Sequence, residues 1–316
     1  MADGQIVLDK GKRRSTSLTK GQATPVLPPP PDDAPPPARS KPVRRVSGGR
    51  PSRYTLRTIA VLYVSVLVLV PLAVVIYRTY DQGLQQFVDL FDDPAAVHAF
   101  TLTGEVAGLA VLINLVFGLG VSLLLARYRF PGRRLLDVLI DVPVSISPII
   151  VGLALVLVYG NATGWFGDAL REIGFQVIYA TPGMVMATAF VSLPLVVREV
   201  LPVLREIGVD QEVAARSLGA NALQIFGRIT FPAIRAALLY GIVLSIARSL
   251  GEFGAVRVVS GGIIGQTQTV TLLVEERAEQ FEPGAYQASL LLIAVAVLAM
   301  VIVGFFQHRS TNRGVH

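Results

Sequence analysis

Five stretches of 20 residues or more run without a single Asp, Glu, Lys or Arg: Thr58–Tyr77, Val106–Ala126, Val142–Gly167, Ile173–Val197 and Pro283–Gln307. A helix needs about 20 apolar residues to span the hydrocarbon core of a bilayer, so each stretch is long enough to cross one. A sixth apolar segment, Ala236 to Val256, is interrupted by Arg248 and Glu252. A mean hydropathy of +0.58, with only 16% charged residues, excludes an ordinary soluble domain of this length. The expected fold is therefore an all-α integral membrane protein with six transmembrane helices and both termini on one side.

Basic residues decide which side, because segments rich in Lys and Arg stay in the cytoplasm during insertion. Segments 1–57, 127–134, 198–235 and 308–316 together hold 23 Lys and Arg, whereas 78–105, 161–172 and 257–282 hold four, together with eleven acids. Both termini are expected in the cytoplasm, with the chain multi-pass in a plasma (inner) membrane. The pI near 9.8 then reflects topology, and no nucleic-acid partner is needed. The basic N-terminal segment is suited to anionic membrane lipid.

Residues 1–56 contain ten of the 20 prolines and all four lysines. So little apolar surface cannot offset the entropy of ordering, so a disordered Pro-rich cytoplasmic tail is expected. The membrane domain follows over 57–308, with a cytoplasmic C-terminus over 309–316. The absence of cysteine removes thiol chemistry, and His98, His308 and His316 are too scattered for a metal or catalytic site. No GxxxxGK[ST] loop is present, so any nucleotide hydrolysis belongs to a different chain.

Two regions depart from plain membrane helix. Near the start of the third crossing, Asp141-Val-Pro143-Val-Ser145-Ile-Ser147-Pro148 places two prolines five residues apart, which either bends the helix towards a pathway or marks its start at the inner interface. The inner loop over 204–232 contains Asp210-Gln-Glu212-Val-Ala214-Ala215-Arg-Ser-Leu-Gly219 and then Asn221 to Ile229-Thr-Phe-Pro232. Asp210 is expected to N-cap a helix, with Glu212 in its first turn complementing the dipole. Gly219 is expected to end that helix in left-handed geometry, and Asn221 to cap a second short helix running to Pro232. Leu218, Leu223, Ile225 and Phe226 are then available to fill a partner's cleft.

This loop resembles the EAA coupling motif of ABC importer permeases, E-A-A-x3-G-x9-I-x-L-P. Ala214, Ala215, Gly219, Ile229 and Pro232 fall at the motif's spacing, while Val213 occupies the Glu position with Glu212 before it, and Phe231 replaces Leu. The segment Arg248-Ser-Leu-Gly251-Glu252-Phe-Gly254-Ala255 and the glycine-rich loop after it resemble sulfate and molybdate importer permeases. Val196 to Leu204 and Thr271 to Glu275 are most similar to the W-type permease of sulfate/thiosulfate importers.

The resemblance implies a MetI-like permease domain that translocates sulfate or thiosulfate, is not itself an enzyme and carries no cofactor. It implies a heterodimer with a second permease subunit, two ATPase subunits that hold ATP and Mg, and an extracytoplasmic sulfate-binding protein. Asp210, Glu212, Ala214, Ala215, Gly219, Ile229 and Pro232 would then form the ATPase-coupling surface. Ser145, Ser147, Ser192, Arg198, Arg248 and Glu252 are candidates for the anion pathway, since a dianion needs hydrogen-bond donors and a few cations. Arg248 and Glu252, four apart on one helix face, equally suit a salt bridge that locks the bundle. A molybdate permease or an ion-driven secondary transporter is the alternative, the latter leaving the 204–232 loop unexplained.

Overall fold

The computed structural model describes residues 50–311 except 84 and 162–163. The expected tail over 1–56 lies outside the described residues as far as 49, as does the C-terminus from 312. Every regular element among the described residues is helical. The first is α1 (Arg50–Asp81), beginning ahead of the charge-free run at Thr58. From Ile59 onward the chain forms one compact unit. There α1 is exposed along most of its apolar length, but near its end Thr79 is buried and its carbonyl accepts from Gln287 Nε2 at 3.3 Å.

After a short surface helix, α2 (Gln85–Asp92), comes α3 (Pro94–Arg127). Its start is fixed locally: Asp93 caps it, accepting from the Ala95 amide at 2.9 Å, and Pro94 sits in the first turn where its missing N–H costs nothing. The third expected crossing is not a single helix. It is a pair, α4 (Arg133–Ser145) and α5 (Pro148–Tyr159), bent by 111°. The cause is Pro148. It disfavours helical angles at Ser147 just before it, where ψ is 133°, and with Ile146 also extended at ψ 141° the helix does not run through. At 12 residues α5 is about 18 Å long, too short to cross a bilayer core alone.

The fourth crossing also shifts. A short α6 (Gly167–Glu172) and a loop come first, and the long helix is α7 (Thr181–Ile207). Charge-free length placed the end at Val197, but the helix carries Arg198, Glu199, Arg205 and Glu206 for another ten residues because its neighbours and the bundle's end accommodate them. Next come α8 (Asp210–Ser217), a four-residue α9 (Ala222–Ile225), a π-turn over Phe226–Thr230, and α10 (Phe231–Leu250). The apolar segment Ala236–Val256 therefore divides at Gly251, and α11 (Gly254–Ser260) is a separate helix. Finally α12 (Val270–Glu279) leads to α13 (Ala285–Thr311). Among the described residues four helices are individually long and apolar enough to cross, the bent pair is long and apolar enough only when its two helices are taken together, and α13 is apolar over Ala285–Val301.

The centre of the bundle is α7, whose most apolar stretch is 67% buried. It lies against α3 on one side and α10 on another. At Val196 both neighbours present glycine: a Cβ on Gly118 of α3 would meet Val196 Cγ1 at 2.9 Å, and one on Gly241 of α10 would meet Val196 Cα at 3.1 Å. Small residues let helices approach closely enough for dispersion to hold them where lipid offers no hydrophobic drive. One turn away, Asn114 Nδ2 donates to Ser192 Oγ at 2.8 Å, and Ser249 Oγ donates to the same oxygen at 3.4 Å, tying α3, α7 and α10.

A second close approach joins α5 to α11. A Cβ on Gly152 would stand 2.7 Å from the Ala255 carbonyl oxygen and 2.9 Å from Val258 Cβ. Replacing a mid-helix glycine by alanine ordinarily gains up to about 1 kcal/mol, and Gly108, with nothing near its missing Cβ, is expected to behave that way. Gly152→Ala is expected instead to destabilise by about 1–3 kcal/mol, the cost of overpacking. Unfolding in detergent, with Gly108→Ala beside it, measures both signs.

Candidate coupling and translocation sites

At the end of the bundle where α7 stops, Gly208 (φ +70) turns the chain into α8. Asp210 is the first residue of this helix and makes no capping bond, contrary to expectation. Val209 already has helical angles and its carbonyl accepts from the Val213 amide at 2.9 Å, so the helix starts one residue early. Asp210 and Glu212 remain in the first turn, where negative charge complements the dipole. At the other end Gly219 has φ +87, as its position demands, and the Ala220 amide closes back on Ala215 O at 3.0 Å. Asn221 then caps α9 in a reciprocal box with Gln224, at 2.9 and 3.0 Å.

The second helix does not stop at Pro232. Proline lacks an amide and its ring would collide with the carbonyl four residues back, at Arg228. The π-turn over Phe226–Thr230 opens the helix there, with the Phe231 amide reaching Phe226 O, and the chain continues through Pro232 into α10. Phe226 leans on Phe231 with ring centroids 6.1 Å apart. The result is an elbow whose tip carries two apolar side chains, Leu218 at 89% and Leu223 at 82% exposure. Ile225, expected to be offered to a partner, is instead buried at 5%, because the continuous helix turns it inward. Ala214 is exposed and Ala215 half-buried, Ile229 is half-buried, and Pro232 is exposed.

Glu212 faces the bundle. Its Oε1 accepts from Arg127 Nε at 3.1 Å, from Arg127 Nη2 at 2.8 Å and from Thr230 Oγ1 at 2.9 Å. Arg127 Nη1 also donates to Leu204 O at 2.8 Å. Sequence reading assigned Arg127 to topology alone and passed over Thr230. Both lie far from Glu212 in sequence, so spacing gave no signal for either.

The pathway candidates separate into two groups. Beside the bend, Arg198 of α7 pairs with Asp141 of α4 at 2.9 Å, and Arg205 pairs with Asp137 at 3.7 Å. They line a groove of about 320 Å³ between the two helices, together with Val197 and Leu201. Ser145 and Ser147 are exposed at the bend and do not line this groove, although Ser145 Oγ donates to Asp141 O at 3.3 Å. In the second group Ser192 is fully buried among α3, α7 and α10, where it also donates to Thr188 O at 2.6 Å. Its neighbour Ser249 adjoins Arg248, which pairs with Glu252 at 2.7 Å. Glu252 is buried, and its Oε1 accepts from the Ala255 amide at 3.0 Å, closing the break between α10 and α11. Among the described residues no cluster of His, Cys, Asp and Glu suits a metal.

Helices long enough to span, a buried Asn114–Ser192–Ser249 link across three of them and an apolar-tipped elbow at one end define a multi-pass membrane permease domain. Comparison with known proteins gives the same class. The family described as binding-protein-dependent transport system inner membrane component matches residues 118–315. The sulfate transport system permease protein CysW of Synechococcus elongatus is 43% identical over 84% of this chain and 95% of the relative. The sulfate transport system permease protein CysT of Salmonella typhimurium is 36% identical over 81% of this chain and 92% of the relative. In solved structures, a bacterial alginate ABC transporter in complex with an alginate pentasaccharide-bound periplasmic protein matches with a TM-score of 0.67 at 19% identity, covering 82% of this chain and 93% of that one, a likeness of fold. The chain belongs to the binding-protein-dependent transport permeases.

Removing the Asn221 side chain leaves the first amides of α9 without their cap. Asn221→Ala is expected to cost about 1 kcal/mol locally, read as faster hydrogen exchange at Leu223 and Gln224 while α10 amides stay protected.

Proposed function

We propose that this chain is the membrane-spanning permease subunit of an ATP-binding-cassette importer that carries sulfate or thiosulfate into the cytoplasm. The observation that carries the reading is the elbow at Asp210–Pro232, with Leu218 and Leu223 exposed at its tip, in a chain 43% identical to a sulfate transport permease. In this reading both termini and the elbow are cytoplasmic. The similarity to both CysW and CysT supports a heterodimer with a second permease. A pair of separate ATPase chains, holding ATP and Mg, receives the leucines in a cleft, and an extracytoplasmic binding protein delivers the anion.

Closure of the ATPases moves the elbow, and the packing of α7 against α3 and α10 turns that movement into alternating access. Catalysis lies outside this chain. Along the path the anion exchanges hydration for hydroxyl and guanidinium donors, and binding must stay weak enough for release. Arg198 in the α4–α7 groove and Ser145 and Ser147 at the bend suit this role. Arg248 serves it with its charge compensated by Glu252, whereas the buried Ser192 acts by holding the three helices in register.

With the complete complex reconstituted, ATP hydrolysis is expected to rise when binding protein and sulfate or thiosulfate are added. Gly219→Asp is expected to abolish the rise, since a side chain at φ +87 strains the turn by about 1–2 kcal/mol and reshapes the elbow. Stimulation by molybdate alone would reassign the substrate, and uptake without any ATPase would overturn the reading. Near-normal uptake in well-assembled Arg248→Ala and Ser147→Ala variants would remove those two residues from the path.

A further inference from the structure

The elbow helix α8 is poorly held by packing. Among its residues none is buried, and it is flanked by two glycines at positive φ, Gly208 at +70 and Gly219 at +87. Such a helix, pushed from outside, would swing on its glycines and leave the bundle unmoved. What opposes this is one carboxylate oxygen. Glu212 Oε1 takes three hydrogen bonds, two from the guanidinium that ends α3 and one from Thr230 in the π-turn at the foot of α10. The same guanidinium grips the Leu204 carbonyl of α7. Its planar fork suits it to this, since several donors are held in fixed directions at once.

The site differs from the other ion pairs near it. Arg198–Asp141 and Arg205–Asp137 are about half exposed, and pairs of that kind contribute little in water. The side chains of Arg127 and Glu212 are only 12% and 16% exposed, and hydrogen bonds to charged groups in such surroundings are among the stronger ones. Arg127 also closes the last turn of α3, where positive charge is favoured by the helix dipole.

We propose that Arg127 is a positioning residue for energy coupling: through Glu212, Thr230 and the Leu204 carbonyl it makes α8 move as one body with the feet of α3, α7 and α10. The proposal rests on the importer reading for its second half, the delivery of ATPase movement to the bundle. Its first half, the holding of α8, stands on the geometry alone. Glu212 in this role looks inward, and the contact with the ATPase falls to the exposed leucines and the small side chain of Ala214.

The experiment compares wild type with Arg127→Gln, Arg127→Lys, Thr230→Val and the exchange of Arg127→Glu with Glu212→Arg. Hydrogen exchange is followed in the full chain in lipid nanodiscs, and uptake and hydrolysis in the reconstituted importer. In Arg127→Gln, amide exchange across Asp210–Ser217 is expected to rise about tenfold, equivalent to about 1.4 kcal/mol. Sulfate imported per ATP hydrolysed is expected to fall by about the same factor, because uptake drops more than hydrolysis. Arg127→Lys and Thr230→Val are expected to lie between, and the charge exchange to recover part of both readouts. Unchanged exchange in Arg127→Gln and Thr230→Val overturns the clamp. Faster exchange with an unchanged ratio overturns its part in coupling. A wild-type complex that does not respond to sulfate defeats the importer reading instead, while the exchange measurements still decide whether Arg127 holds α8.

Discussion

Inside a bilayer, apolar side chains gain nothing by leaving lipid for each other, so a bundle must be held by close fit and by polar groups that satisfy one another. Here both devices converge on α7. Val196 lies between Gly118 and Gly241, which brings three backbones close together. The Asn114–Ser192–Ser249 bonds then fix their rotation, because a buried amide or hydroxyl turned away from its partner finds no water in its place. Everything else hangs on this three-helix core. Within the bent pair, α4 is attached to it by Ile140, buried with Leu125, Val197 and Leu201, and α5 meets α11 at Gly152.

The two sites use that core differently. At the elbow, the polypeptide leaves α7, makes the exposed α8 and the short α9 and re-enters as α10, so both ends of the elbow are rooted in helices of the core. A force on its tip reaches the core by covalent bonds at two points and through Arg127 at a third. Along the α4–α7 groove, the arginines face carboxylates, so the surface is charged yet nearly neutral. In the proposed importer, an anion meeting this surface finds donors without a deep electrostatic well, which suits passage better than capture.

Much of this was legible in the sequence. Charge-free runs located the apolar helices, because the bilayer penalises charge directly. Gly219 and Asn221 announced the turn and the cap, since each relies on local chemistry within a few residues. Helix ends were less legible. Val197 ends a charge-free run but not a helix, as Arg198 and Arg205 find carboxylates on α4 that no local pattern reveals. Pro148 was recognised as disruptive, yet the size of the bend depends on what α5 packs against. Pro232 misled for a definite reason: a proline ordinarily ends a helix, and the π-turn before it relieves the collision that would have done so. Arg127, Glu212 and Thr230 were invisible as a group because only the folded chain brings them together.

That π-turn has one more consequence. An α-helix advances about 100° per residue, and a π-turn accommodates one extra residue without lengthening the helix in proportion. Phe226–Thr230 therefore absorbs one extra residue between the elbow and α10. Deleting a single residue there would bring the ring of Pro232 back against the carbonyl four residues before it, so the helix could not simply close into regular winding. The extra residue over that one turn is what lets a single continuous helix carry the chain from the elbow through Pro232 into α10.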